Sequence, residues 1–461
     1  MTSRNKVLGF FQVVMINVIA VDSIRNLPFS ATYGFTLVFF YLLAALFFFI
    51  PGALVSAELG TGWPTTGGIY VWVREAFGKR IALLTIWLNW IYNIFWYPTI
   101  MALIAGTLTY FFNPHLATNK LFMASTVILL FWGITLINCF GMKLSSFFSS
   151  LSATVGTLLP MLIIVILGAW WIWGGHPLET RFTWKEFFPS TFDLSNVAYL
   201  TNVLFGLIGL EMSATHAEEM HHPTRDYPRA VFVSVVIVLA TTIFASLAIA
   251  VVVPNDDLNL VVGTMQAFAT FIQKLDLPWL LPLIAGAIVL GGLGGAGAWI
   301  IGPTKGLMVA SRDGTLPAFL MHANKYGAPF NMLIIQAVVV TLLSIGFIFM
   351  PTVTSSFWLF SLVSAQLALV VYIVLFASAI ALHHRKPEVP RSYRIPGGKI
   401  GMWLTAGAGI FACALVIILG FIPPTHTPIG NLFLYELLLI GGMVLFIAIP
   451  FVIYRVRMGK K

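Results

Sequence analysis

Asp22, Arg25 and Pro28 interrupt an apolar run that would otherwise carry the chain from Val7 across a membrane. A charged side chain at the bilayer centre costs at least about 2.5–3.5 kcal/mol unless it faces protein or water. Backbone released by a helix break must likewise be buried in protein or line a wet cavity. The stretch Asp22-Ser23-Ile24-Arg25-Asn26-Leu27-Pro28 therefore reads as one half of a solute-binding site. The Arg25 guanidinium suits a carboxylate, which it can hold through two parallel hydrogen bonds while staying charged. The alternative is an internal ion pair with Asp22, three residues earlier, if the segment stays helical. A pair that opens for a zwitterionic or acidic solute would combine the two.

A second set of such residues lies at Gly206-Leu207-Ile208-Gly209-Leu210-Glu211-Met212-Ser213. Two glycines three apart, followed by an acid in mid-membrane, weaken a helix and expose its backbone. Close helix packing through small residues is the alternative for the glycines. Glu211 could bind an amino group or carry a proton, since burial favours the neutral carboxyl; a hydrogen-bond hub between broken backbones is the other reading. Asp22 is the second candidate for proton coupling. Asn89 and Asn93, one turn apart, are candidates to line a cavity, with hydrogen bonding between helices as the alternative.

The elements that must position these residues are transmembrane helices. Hydrophobic residues make up 59% of the 461-residue chain, charged residues 9%, and mean hydropathy is +0.94. A soluble chain carries about a quarter charged residues, and a spanning helix needs about 20 apolar ones. The chain is an all-α membrane protein with no room for a separate soluble domain. Twelve spans are expected near residues 8–33, 35–59, 82–112, 121–140, 148–173, 196–219, 230–253, 279–309, 331–350, 356–382, 402–422 and 433–454. The N-terminal Arg4 and Lys6 resemble a signal-peptide start, but no small-x-small cleavage site follows, so an uncleaved first span is expected.

Placing the N-terminus inside puts Arg74, Lys79, Arg80, Lys143, Arg225, Arg229, Lys305, Arg312, Lys325 and the basic stretch His383–Lys399 on the cytoplasmic side, with Arg455, Arg457, Lys460 and Lys461. Lys120, Arg181, Lys185 and Lys274 fall on the other. This bias places both termini in the cytoplasm. It accounts for the net charge of +9 as a topology signal rather than nucleic-acid binding. Cys139 and Cys413 lie inside apolar runs and argue for neither a disulfide nor a metal site. No metal-ligand spacing, nucleophile cluster or sensing domain supports an enzyme or a receptor, and no cofactor is implied.

The two breaks fall in spans one and six, corresponding positions of two five-helix units. Paired interrupted helices of this kind point to a transporter site at the interface of inverted repeats. Free N–H groups at half-helix N-termini there suit an anionic group such as a carboxylate. The core would be residues 1–382, with repeats at 1–173 and 194–382; the basic loop and spans eleven and twelve would form 383–461.

The residues from Glu211 to Met220, with Pro223 and Arg225-Asp226-Tyr227-Pro228, resemble the amino acid–polyamine–organocation superfamily, and within it the bacterial glutamate/γ-aminobutyrate antiporters. Ile50-Pro51-Gly52-Ala53 to Ala57-Glu58, Gly67-Gly68 to Trp72-Val73, Trp299 to Gly306, and Ile395-Pro396-Gly397-Gly398-Lys399 extend the likeness over nearly the whole chain. It implies the five-plus-five inverted repeat shared with sodium-coupled leucine transporters, with spans one and six broken and two extra C-terminal helices. It also implies amino acid antiport in the cell inner membrane; a proton-coupled amino acid or polyamine permease is the rival. Ala20, Val21, Asp22, Ser23, Arg25, Asn26, Gly206, Ile208, Gly209, Glu211, Ser213 and Trp299 would bind substrate, Trp299 as the aromatic that lines or gates the pocket. Three departures leave the substrate open. Arg25-Asn26 stands where the group has tyrosine and glutamate, and glycine at or beside Gly295 stands where it has an acid in span eight. The chain ends at Lys461 without the C-terminal plug of some members, so a pH gate of that type is not expected. His216, Glu218, Glu219, His221 and His222 suggest pH sensing or a solvated helix end.

Overall fold

The computed structural model describes residues 9–64, 67–140, 152, 154–189, 200–212, 220, 223–423 and 431–458. The first span is divided. Helix α1 (Phe10–Val21) stops where Asp22 and Ser23 offer polar side chains that compete with helical bonding, and Ser23 is extended at φ −142°. A 3₁₀ turn at Ile24–Asn26 leads into α2 (Leu27–Ala31). Pro28 fits the first turn of α2, where its missing N–H has no helical partner to lose.

The second span runs from α3 (Thr36–Ala44) through a π-helical turn at Ala45–Phe49 into α4 (Ile50–Gly62). A short amphipathic helix, α5 (Ile69–Phe77), ends at Gly78, whose φ of +83° suits only glycine. Long spans follow as α6 (Lys79–Leu108), α7 (Lys120–Cys139) and α8 (Leu159–Trp173). After the small α9 (Trp184–Phe187), α10 (Leu200–Phe205) begins the interrupted sixth segment. The rest are α11 (Pro223–Ala250), α12 (Gly263–Lys274), α13 (Leu280–Arg312), α14 (Phe330–Phe349), α15 (Val353–Arg385), α16 (Gly398–Leu419) and α17 (Leu432–Met458).

Eleven described helices are long and apolar enough to cross a membrane, and Leu200–Met212 is a shorter apolar segment. The chain is thus a multi-pass helical membrane protein. The linking helices α5, α9 and α12 are additions to the sequence reading; each is too short or too polar to register as a span. Helices α6 and α15 are the most enclosed and pack on each other, while α17 is the most exposed. The stretch between α15 and α16 is non-helical, as its proline and glycine content predicts.

Helices approach most closely at glycine. A Cβ on Gly156 would meet the Gly291 backbone nitrogen at 2.1 Å, so the turn before α8 and α13 touch backbone to backbone. This is the small-residue packing that bilayer helices use when lipid offers no hydrophobic drive. Gly295, one turn on, faces open space.

A group of ion pairs joins the ends of α4, α5, α13 and α15. Glu58, wholly buried near the end of α4, accepts from Arg391, from the Ile395 N–H at 2.8 Å, and pairs with His383 Nδ1 at 2.9 Å. Arg391 also donates to the carbonyls of Leu382 and Lys386, both at 2.8 Å, satisfying the C-terminus of α15. In the same group Arg74 meets Asp313 at 2.8 Å and Lys386 meets Glu75 at 2.6 Å. The Lys386 hydrogen bond holds the Glu75 carboxyl below the usual carboxylate range.

Candidate functional site

The two interruptions meet. At the first, the Asp22 N–H bonds the Val18 carbonyl at 2.7 Å, and the helix stops with the carbonyls of Ile19, Ala20 and Val21 at its negative dipole end. At the second, α10 ends at Phe205 and Gly209 takes φ +129°, a conformation side chains rarely adopt. A Cβ there would lie 2.8 Å from the Ala20 carbonyl oxygen and 3.2 Å from the Trp299 ring. A Cβ on Gly206 would lie 2.8 Å from Asn26 Nδ2. Both glycines are therefore contact points between the broken segments, and Gly209 also needs its unusual backbone.

Beside this contact is a cavity lined by Ala20, Asp22 and Ser23 of the first break, Trp96 and Ile100 of α6, Gly156 and Thr157, and Gly291, Gly295 and Trp299 of α13. The Trp96 and Trp299 rings are 6.2 Å apart at 55°. Trp299 is fixed from behind, its carbonyl accepting from the Tyr97 hydroxyl at 3.1 Å.

Asp22 is 4% exposed, and its carboxylate accepts from Thr241 Oγ1 at 2.6 Å and Thr242 Oγ1 at 3.2 Å, both on α11. Arg25 is fully buried and turned elsewhere. Its Nη1 donates to Ser361 at 2.9 Å and Thr99 at 3.3 Å, and its Nη2 to Asn26 Oδ1 at 2.5 Å. The guanidinium carbon sits 5.4 Å from the centre of the Phe205 ring and 5.9 Å from that of Phe357. Its bonds go to hydroxyls and an amide; the i to i+3 ion pair with Asp22 is absent. The extended Ser23 explains this, because helical spacing no longer sets where the two side chains point.

Glu211 accepts a short hydrogen bond from the Tyr372 hydroxyl on α15, and the same hydroxyl accepts from the Gly209 N–H at 3.0 Å. Tyr372 thereby ties the second break to α15, and its ring lies 5.2 Å from that of Phe48 of the π-helical turn, tilted at 41°.

Of the residues singled out from sequence, Ala20, Asp22, Ser23 and Trp299 line the cavity. Gly206 and Gly209 join the two breaks just behind it, and Val21, Asn26, Ile208 and Glu211 are buried around that junction. Asn89 and Asn93 bond within α6, to the Tyr92 hydroxyl at 3.1 Å and the Asn89 carbonyl at 2.8 Å, and neither lines the cavity. Ser213, His216, Glu218, Glu219, His221 and His222 lie outside the described residues. Thr241, Thr242, Tyr372, Trp96, Thr99 and Ser361 were not anticipated. The adjacent threonines in an apolar span were the one signal available for them.

Residues 8–445 match the family model for amino acid permeases. The chain belongs to this family. It is 54% identical over 452 residues to an uncharacterized transporter of Legionella pneumophila, covering 98% of this chain and 97% of that one. It is 29% identical to the glutamate/gamma-aminobutyrate antiporter of Lactococcus lactis subsp. lactis over 455 residues, 97% of this permease and 90% of the relative. A third relative, named as a probable agmatine/putrescine antiporter of the same organism, is 23% identical over 370 residues, 80% of this permease and 78% of the relative.

Proposed function

We propose that this permease is a secondary active transporter of amino acids, working by alternating access as an antiporter in the cytoplasmic membrane, with both termini inside. The observation that carries the proposal is the backbone contact between Gly209 and Ala20 beside a cavity lined by Asp22, Ser23 and Trp299. Two interrupted helices meeting at such a cavity supply what a small zwitterion needs: carbonyl ends for its ammonium and free N–H groups for its carboxylate.

A count of crossings supports twelve spans. Thr180 donates to the Ala250 carbonyl at 2.8 Å, and the Glu179 N–H to the Val251 carbonyl at 3.1 Å, so these points share one face. Between them one long apolar helix is described, α11, and an even number of crossings is required. Leu200–Met212 is the described segment that can supply the second. The Arg74–Asp313 ion pair makes the same demand, since five long helices separate its partners. The face with Arg74, Lys79, Lys386 and Arg391 is then the cytoplasmic one by the positive-inside rule.

Arg25 holds the outer half of the first span to α6 and α15 through Thr99 and Ser361. A buried cation with neutral acceptors is costly; Arg25 lies outside the cavity wall, so a substrate carboxylate would supply the missing counter-charge only when alternating access opens the wall toward it. A second reading, a proton-coupled permease, is favoured by one observation: Asp22, an ionisable group, stands in the cavity wall.

Counterflow of labelled amino acids in proteoliposomes, repeated with Arg25→Ala, tests the proposal. Saturable uptake that needs internal substrate is expected, weakened by Arg25→Ala for carboxylate substrates. Absence of counterflow for every amino acid and amine would overturn it. Uptake driven by a pH gradient without internal substrate would favour the permease reading.

A further inference from the structure

Asp22 is the one charged side chain in the cavity wall among the described residues. Trp96 and Trp299 present indole rings to the same space. A carboxylate sharing a cavity with indole rings is the chemistry that recognises an organic ammonium group, through charge pairing and cation–π attraction. The Ala20 carbonyl, at the negative end of α1, adds partial charge of the same sign. Arg25 does not oppose this, because its guanidinium is engaged by Thr99 and Ser361 outside the cavity wall.

The threonines give Asp22 a second property. A carboxylate offers about four acceptor positions, and Thr241 and Thr242 occupy two. The Thr241 hydroxyl also lies 2.9 Å from the Ile237 carbonyl and 3.1 Å from the Val238 carbonyl, so its single proton has backbone acceptors besides the carboxylate. With Asp22 ionised, that proton points to the carboxylate. With Asp22 protonated, the Asp22 O–H donates to Thr241 Oγ1 and the threonine proton turns to Ile237. Both charge states are therefore satisfied in one geometry.

We propose that Asp22 is the ammonium-binding group of the cavity and that a proton competes with the substrate amine for it. The proposal rests on the reading of the cavity as the substrate site. The permease then selects solutes with a protonated amine over their amine-free counterparts, and the bound proton leaves as the amine arrives. Of the elements around Asp22, α3 brings Tyr41, whose hydroxyl is bonded to Ser30 at 2.8 Å. Among the described residues, helices α6, α11 and α13 bring no charged side chain to the cavity wall. Glu211, bonded to Tyr372, is not in the wall.

The experiment is counterflow in proteoliposomes with equal pH on both sides, from pH 5 to pH 8. Labelled glutamate, γ-aminobutyrate, leucine and putrescine are the probes, and glutarate, butyrate and 4-methylpentanoate the amine-free competitors. Proton competition predicts that KM rises tenfold for each pH unit below the Asp22 midpoint while maximal rate is unchanged. Amine-free competitors are expected to fail at 100 times the concentration of the amine that inhibits. Asp22→Asn should raise KM at least 30-fold and abolish its pH dependence, and Thr241→Val should move the midpoint. The pH series and the competitors need only the wild-type protein, so a variant that fails to fold leaves the proposal exposed to refutation. Wild-type transport with pH-independent KM, or equal inhibition by amine-free acids, overturns it while leaving the transporter reading intact. No transport of any probe by wild type removes the transporter reading itself.

Discussion

Gly209→Ala perturbs the junction on which the proposed site depends. The native φ of +129° is strained for any side chain, at a cost of about 1–3 kcal/mol. The new Cβ would lie 2.8 Å from the Ala20 carbonyl oxygen, so ordinary contact at 3.4 Å requires the two breaks to separate by 3.4 − 2.8 = 0.6 Å. Trp299, at 3.2 Å, limits retreat in the other direction. Adding about 1 kcal/mol for forced repacking gives roughly 2–4 kcal/mol, divided between lost stability and lost affinity. At about 1.4 kcal/mol per tenfold, the lower end corresponds to roughly 30-fold. Counterflow KM and the thermal midpoint of the purified variant, read together, capture both shares. Gly407→Ala is the control, because a Cβ on Gly407 meets nothing within 4 Å in α16. A Gly209→Ala protein with wild-type KM and wild-type melting would refute the reasoning.

Other expectations follow from contacts around the site and among the ion pairs. Tyr372→Phe removes the hydroxyl shared by the Gly209 N–H and Glu211, at about 1–3 kcal/mol; a lower melting temperature and a raised counterflow KM should appear together. Glu58→Gln or Arg391→Gln alone strands a buried charge, costing about 3–5 kcal/mol. The double variant should lose less than the sum of the two in denaturant melts, and strict additivity would contradict the pairing. Because Lys386 lowers the Glu75 pKa in the folded protein, that pair's stabilisation is full above the ordinary carboxylate range and lost as pH falls through the lower folded value. Glu75→Gln should therefore flatten the acid limb of melting temperature between pH 7 and pH 3; a variant curve parallel to wild type would contradict this.

How much could be read from sequence depended on whether the signal was local. Asp22, Arg25 and Pro28 announce a break because charge and proline are costly inside a membrane helix, and Gly206 with Gly209 announces the second. The partners of those residues could not be read so easily. Thr241 meets Asp22 across 219 positions of sequence, and single hydroxyls are common in spans. Tyr372 is one of many aromatics in the spans, and only the fold sets its hydroxyl between Gly209 and Glu211. The Asp22–Arg25 ion pair, one of two readings of Arg25, required helical spacing that the extended Ser23 cancels. Asn89 and Asn93 do share a helix face, but their amides are taken up within α6. The glycine run in α13 divides in use: Gly291 permits a crossing, while Gly295 leaves the cavity open.

The central claim, that substrate sits between the two broken segments, is tested most directly by substrate protection of a single cysteine at Ser23. Ser23 lines the cavity, and the native Cys139 and Cys413 are buried and would both be changed to alanine in the background protein. The rate of Ser23→Cys modification by a methanethiosulfonate reagent would be measured against increasing concentrations of the amino acid that gives the strongest counterflow. The account predicts saturable protection with a half-maximal concentration matching the counterflow KM. A labelling rate unchanged at saturating substrate, in protein that still transports, would contradict it.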